Sequence, residues 1–113
     1  MVQIFHNPRC SKSREGLALL QDSGAEFEIV KYLETIPTKA ELQQLVARLG
    51  IKPIDLVRTG EAVWKERFAK ETLTDDAVLE ILAANPILIE RPIVINGSKA
   101  VIGRPPSRIL DIL

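Results

Sequence analysis

The sequence holds one cysteine, one histidine and no net charge, and each scarcity closes off a class of function. A single Cys excludes an intramolecular disulfide and a cysteine-rich metal site, and a single His adds little ligand capacity. Any thiol redox cycle must therefore take its second sulfur from another molecule. The 15 basic residues balance 15 acidic ones, so no chain-wide field draws the protein to nucleic acid or to an anionic membrane. Any anion site has to be local. No apolar run approaches the ~20 residues of a membrane span, and the first residues lack a basic n-region leading into a long apolar stretch. A cytoplasmic protein is the expectation. Gly-rich phosphate loops, ligand clusters, repeats and Ser/Gly-rich linkers are also missing, so no metal, nucleotide or flavin is suggested and no bound cofactor is expected.

What is present suits a single domain over residues 1–113: 46% hydrophobic content is enough for one core. "VQIF" at residues 2–5 is a short strand that stops at His6-Asn7-Pro8, where Pro8 pushes Asn7 away from helical angles. Leu17, Ala18 and Leu20 mark an apolar helix face over Ser11 to Ser23, with Gly24 placed as a left-handed cap. "FEIVKYL" then reads as a second strand, so the opening third is βαβ, which favours a parallel pair.

The middle reads as helical. Thr38 and Glu41 form a capping box before the stripe Leu42, Leu45, Val46 and Leu49, closed by Gly50. Pro53 opens a short turn through Val57, Glu61 to Lys70 has helical composition around Trp64 and Phe68, and Thr74 caps a helix that Asn85-Pro86 stops. "PIVI", Asn96-Gly97 and "KAVIG" predict a hairpin with a type I′ turn, followed by a short helix after Pro105-Pro106. The order βαβ, helices, ββα is that of an α/β, thioredoxin-like fold with a helical insertion between its halves.

Cys10 falls at the entry to the first helix. A thiolate there faces unpaired backbone N–H groups and the positive end of the helix dipole, and Arg9, Lys12 and Arg14 add charge of the sign that favours deprotonation. Free cysteines are often simply buried, but a loop ending in Asn-Pro-Arg makes a poor core. Two sharper patterns fail on spacing. A tyrosine-phosphatase loop needs Arg where Gly16 stands, and a dithiol site needs a second Cys where Ser13 stands, so this is a one-thiol arrangement. His6 is either structural or a group that poises the thiol. Arg58, Arg91 and Arg104 each follow an apolar run, and converging arginines beside a thiolate would make a pocket for a tetrahedral oxyanion.

"HNPRCSKSR", "KYLETIPTKAEL", "LVR", "NPILIERPIVI" and "GRPPSRILDIL" together resemble the glutaredoxin-coupled arsenate reductase family, over almost the whole chain. The resemblance implies Cys10 as catalytic nucleophile and Arg58, Arg91 and Arg104 as catalytic and oxyanion-binding residues. It also places His6 and Ser13 in the substrate pocket and a cis peptide before Pro92. Arg9 and Ser11-Lys12 stand where small residues are usual in the best-known members. The implied reaction reduces arsenate, or a similar oxyanion, with glutathione as co-substrate and glutaredoxin as partner. Two other classes share features with this chain. A glutathione-dependent thiol transferase is compatible with C-x-x-S chemistry, and an Spx-like RNA-polymerase-binding regulator has the related fold but uses a C-x-x-C switch that is absent here.

Overall fold

The computed structural model describes residues 2–113, which form two compact units, one of residues 2–35 with 91–113 and one of residues 36–90. The first unit holds β1 (Val2–Phe5), α1 (Ser11–Asp22), β2 (Phe27–Val30), β3 (Ile93–Asn96), β4 (Lys99–Ile102) and a C-terminal 3₁₀ segment, Pro106–Ile112. Its sheet has the order β2-β1-β3-β4, with β1 parallel to β2 and antiparallel to β3, and β3 antiparallel to β4. These are the βαβ and ββα halves of a thioredoxin-like fold, interrupted by residues 36–90 as the element order predicts. Among the described residues no helix is long and apolar enough to cross a membrane.

The strands are short, four residues each. Val2, Ile4 and Val94 share one face and form a core with Leu20 of α1 and Ile109 of the 3₁₀ segment. Ile4, Leu20, Val94 and Ile109 are fully buried, each stabilising the unit by roughly 1.5–3 kcal/mol. Ile93 and Ile95 point to the opposite face and are buried too, so β3 is apolar on both sides, as its uninterrupted "IVI" requires.

In the second unit, α2 (Lys39–Leu49) begins at the predicted capping box: the Glu41 N–H donates to Thr38 Oγ1 and the Thr38 N–H to Glu41 Oε1, both at 3.1 Å. The α4 helix (Asp75–Ala84) is capped by Thr74, whose hydroxyl accepts the Ala77 N–H. Between them lie a 3₁₀ turn at Pro53–Leu56 and α3 (Ala62–Arg67). Trp64 is buried against Phe68 with ring centroids 5.7 Å apart, and the Arg67 guanidinium covers the Phe68 ring.

Four local features differ from the sequence reading. β2 ends at Val30, because the Lys31 carbonyl accepts the N–H groups of both Glu34 and Thr35 and turns the chain. Tyr32 then stacks on Phe5 with centroids 6.2 Å apart. The Glu61–Lys70 helix is shorter, Ala62–Arg67, and the C-terminal helix is of 3₁₀ type. The hairpin turn is Gly97-Ser98, since Asn96 pairs with Lys99 inside the ladder. Only Gly97 has positive φ, at 62°, which is the pattern of type II′ and not type I′. Asn96 is kept in the strand by its side chain, whose Nδ2 donates to the Ile112 carbonyl at 2.6 Å.

Pro92 follows a cis peptide bond, as the family resemblance implies, and Pro105 does as well. The Pro92 ring is seated between two glycines: a Cβ on Gly16 would lie 2.8 Å from Pro92 Cγ, and one on Gly103 would lie 2.9 Å from the same atom. Ile109 Cδ1 crowds both positions, at 3.2 and 3.1 Å. Gly in a helix interior normally costs about 1 kcal/mol against Ala. Overpacking a filled site costs about 1–3 kcal/mol, which should outweigh that gain. Gly16→Ala is therefore expected to lower the thermal midpoint despite its better helix propensity, and a raised midpoint in a melting curve would contradict this packing.

Candidate active site

Cys10 is the N-cap residue of α1, with extended backbone angles and its carbonyl accepting the Arg14 N–H at 3.0 Å. No oxygen caps this helix, and its first turn carries no acidic side chain. The sulfur takes the position an N-cap oxygen would hold, facing the N–H groups of Lys12 and Ser13 at the second and third helical positions. Burial alone pushes the thiol pKa up. The Ser13 N–H, the Arg91 guanidinium by hydrogen bond and charge, and the Lys12 N–H overcome it, so the net shift is downward and the thiolate is favoured.

The charge at the sulfur thus arrives from the far end of the sequence. Arg91 is 7% exposed, which brings its guanidinium into a poorly solvated setting where charge acts strongly. Arg104 places Nη2 4.0 Å from Cys10 Sγ and donates from Nε to the Arg91 carbonyl at 2.9 Å. A second link, from the Gly103 N–H to the Pro92 carbonyl at 2.8 Å, ties the two Arg-Pro segments together. The neighbours in sequence are used otherwise: Arg9 is exposed, the Arg14 Nη1 donates to the Pro8 carbonyl, and Lys12 pairs with Glu15 on the surface.

Ser13, in the place of a second cysteine, is fully buried and its hydroxyl is spent on the loop. Its Oγ accepts the Asn7 N–H at 2.9 Å and lies 2.7 Å from His6 Nδ1. Burial, together with the Lys31 and Arg14 charges, holds the His6 pKa below its ordinary value against the opposing Ser13 hydrogen bond. A neutral ring meets the Ser13 hydroxyl through Nδ1, as acceptor or as N–H donor according to its tautomer. Asn7 is the residue that sequence reasoning missed. Its Oδ1 accepts the Arg9 N–H and its carbonyl the Cys10 N–H, both at 3.0 Å, forming the Asx turn that delivers Cys10 to the helix. Asn before Pro at a strand end is a signal for that turn.

Arg58 belongs to the unit of residues 36–90. Its Nε pairs with Glu61 at 3.2 Å and its Nη1 with Glu90 at 3.3 Å, while its N–H donates to the Leu88 carbonyl. Beside the Cys10 loop opens a cavity of about 400 Å³, lined by His6 to Arg9 on one side and by Lys31, Leu33 and Glu34 on the other.

The sequence matches the family model described as the ArsC family over residues 5–112. The chain belongs to the ArsC family. Over 99% of its length, this ArsC-family chain is 46% identical to the uncharacterised protein YfgD of Escherichia coli, covering 96% of that protein. It is 42% identical over the same share to an arsenate reductase of Neisseria meningitidis, covering 97% of it. The solved structure of an arsenate reductase from Vibrio cholerae superposes with a TM-score of 0.94 at 46% identity, covering 99% of this chain and 97% of that one.

His6 gives a pH prediction for this ArsC-family fold. Its folded pKa lies below the ordinary 6.5, so on acidification the unfolded chain takes up the proton first. The stability associated with neutral His6 is present above that value and is lost as pH falls through the folded pKa. Because the chain has one histidine, the difference between wild type and His6→Gln isolates this contribution. Urea unfolding from about pH 8 to 5 should give a steeper loss of stability with acid in the wild type. Parallel profiles would show that the ring is not held neutral.

Proposed function

We propose that the protein is an arsenate reductase in which Cys10 is the nucleophile, glutathione the co-substrate and glutaredoxin the partner that restores the thiol. One observation carries the reading: Cys10 stands at the N-cap of α1 with the Arg104 guanidinium 4.0 Å from its sulfur, and the Arg91 charge favours its thiolate. That arrangement suits a reaction in which a thiolate attacks a tetrahedral oxyanion whose negative charge needs donors. The ArsC family match and the arsenate reductases among its relatives support the same substrate.

In the first step Cys10 Sγ bonds to arsenic and an arsenate oxygen leaves as water, giving a thiol–arsenate adduct. The glutathione thiolate then attacks Cys10 Sγ, the sulfur–arsenic bond breaks, and its electron pair goes to arsenic, which departs as arsenite. Arsenic gains two electrons and the two thiols lose them, leaving Cys10 in a mixed disulfide with glutathione. A glutaredoxin thiolate attacks the glutathione sulfur and expels Cys10. The lowered pKa of Cys10 serves twice, keeping the nucleophile ionised at neutral pH and making it a good leaving group at the end. With one cysteine in the chain, the second sulfur has to come from outside, which is the logic of a glutathione-dependent cycle in the reducing cytoplasm.

Arg91 and Arg104 hold the oxyanion in this scheme and stabilise the charge that shifts onto oxygen as sulfur attacks. Arg58 enters through the family resemblance alone, because its guanidinium is already paired with Glu61 and Glu90. His6 and Ser13 serve by fixing the loop and presenting the Ser13 N–H to the sulfur.

The test measures arsenate reduction and mixed-disulfide exchange side by side, with glutathione and glutaredoxin supplied or withheld. Cys10→Ser should abolish reduction while folding is retained. Arg91→Ala and Arg104→Ala should each lower arsenate turnover by roughly 10²-fold, the scale of losing one preorganised oxyanion donor. Lysine should restore only part, since a point charge lacks the planar fork. Exchange, which has no oxyanion to hold, should fall much less. Arsenate turnover that is equal in all the arginine variants, or that continues without glutathione, would sink this reading.

A further inference from the structure

The cavity beside the Cys10 loop is not used by the oxyanion chemistry, since neither Arg91 nor Arg104 lines it. Both of its walls are fixed. The Asn7 Asx turn holds the His6–Arg9 side, and the Lys31 carbonyl, accepting from Glu34 and Thr35, holds the other. At about 400 Å³ it lies in the size range of preformed small-molecule sites. Its rim carries Arg9, Lys31 and Glu34, all exposed, and among the described residues none of the three is in an ion pair. Leu33 adds an apolar contact.

We propose that this cavity binds glutathione, a thiol tripeptide carrying two carboxylates and one ammonium, with Arg9 and Lys31 taking the carboxylates and Glu34 the ammonium. The inference rests on the glutathione-dependent reading above. Two cations and one anion are the inverse of the tripeptide's own charges, and each would gain a partner it otherwise lacks. The location also suits the step. Displacement at sulfur needs the incoming thiolate opposite the departing arsenic. The cavity lining includes Arg9, the residue before Cys10, and excludes Arg104, whose Nη2 lies 4.0 Å from the sulfur, so in this proposal the tripeptide sits on the side away from the oxyanion. Anchored at both ends, the tripeptide presents its central thiolate, which forms the disulfide bond to Cys10 as the sulfur–arsenic bond gives its electron pair to arsenic.

The test needs no arsenate, so it separates this site from the reductase reading. Cys10 thiolate is allowed to react with glutathione disulfide, forming the mixed disulfide and releasing one glutathione thiolate, and in parallel with the uncharged hydroxyethyl disulfide. The ratio of the two rates reports recognition of the glutathionyl group, independent of changes in thiol reactivity. Lys31→Glu should lower the ratio about fivefold and Glu34→Gln about twofold, the scale of exposed ion pairs. Simple attraction of a negative reagent predicts the opposite sign for Glu34→Gln. An unchanged ratio in Lys31→Glu, or an unchanged or raised ratio in Glu34→Gln, would overturn the site. Intact arsenate reduction beside either of those results would leave the reductase reading standing, whereas lost arsenate reduction beside the expected ratios would do the reverse.

Discussion

The first turn of α1 has backbone N–H groups to satisfy and a sulfur where an oxygen would normally stand, and the chemistry follows from that substitution. Thr38 and Thr74 cap α2 and α4 through neutral hydroxyls, each accepting one N–H. Cys10 occupies the same position on α1 without a side-chain oxygen to offer. As a thiol it is a poor acceptor; as a thiolate it is a charged one, set at the positive end of the helix dipole. Ionisation therefore completes the cap. By linkage, the stability gained from that thiolate is present above the ordinary thiol pKa and is lost as pH falls through the lowered folded value.

A helix terminus alone has no means of choosing a ligand. In the proposed reaction selectivity for an oxyanion comes from the two Arg-Pro segments, and their placement depends on residues with no chemistry of their own. Gly16, in the second turn of α1, and Gly103, just before Arg104, leave room for the Pro92 ring between them. The Gly103 N–H and Arg104 Nε then lock the segments to each other through the Pro92 and Arg91 carbonyls. Arg91 and Arg104 are thus held by backbone links and close packing. That rigidity is what preorganised donors need if they are to act on a transition state at little further cost.

Much of this was legible in the sequence, because the signals were local. The strand at residues 2–5, the Thr38–Glu41 box, the Thr74 cap and the position of Cys10 each follow from a few adjacent residues. What failed was the choice among locally equivalent options. Asn96-Gly97 suits a type I′ turn until Asn96 is claimed by the Ile112 carbonyl, sixteen residues away. The cationic neighbours Arg9 and Arg14 looked like the source of the thiol's field, yet Arg91 supplies it from a distant segment, and Arg14 is spent on the Pro8 carbonyl. Gly16 and Gly103 owe their roles to tertiary packing against Pro92 and Ile109, and periodicity carries no trace of them. Arg58 is the converse, a residue conspicuous in the sequence whose guanidinium is occupied by Glu61 and Glu90.

The central claim, that fold and not neighbouring charge ionises Cys10, is tested most directly by titrating the thiolate's ultraviolet absorbance. The measurement compares the folded protein, the urea-unfolded chain and folded Arg91→Ala. Folded wild type should show the lowest midpoint, the unfolded chain an ordinary thiol value, and Arg91→Ala a value raised above wild type. A folded midpoint equal to or above that of the unfolded chain would contradict the account.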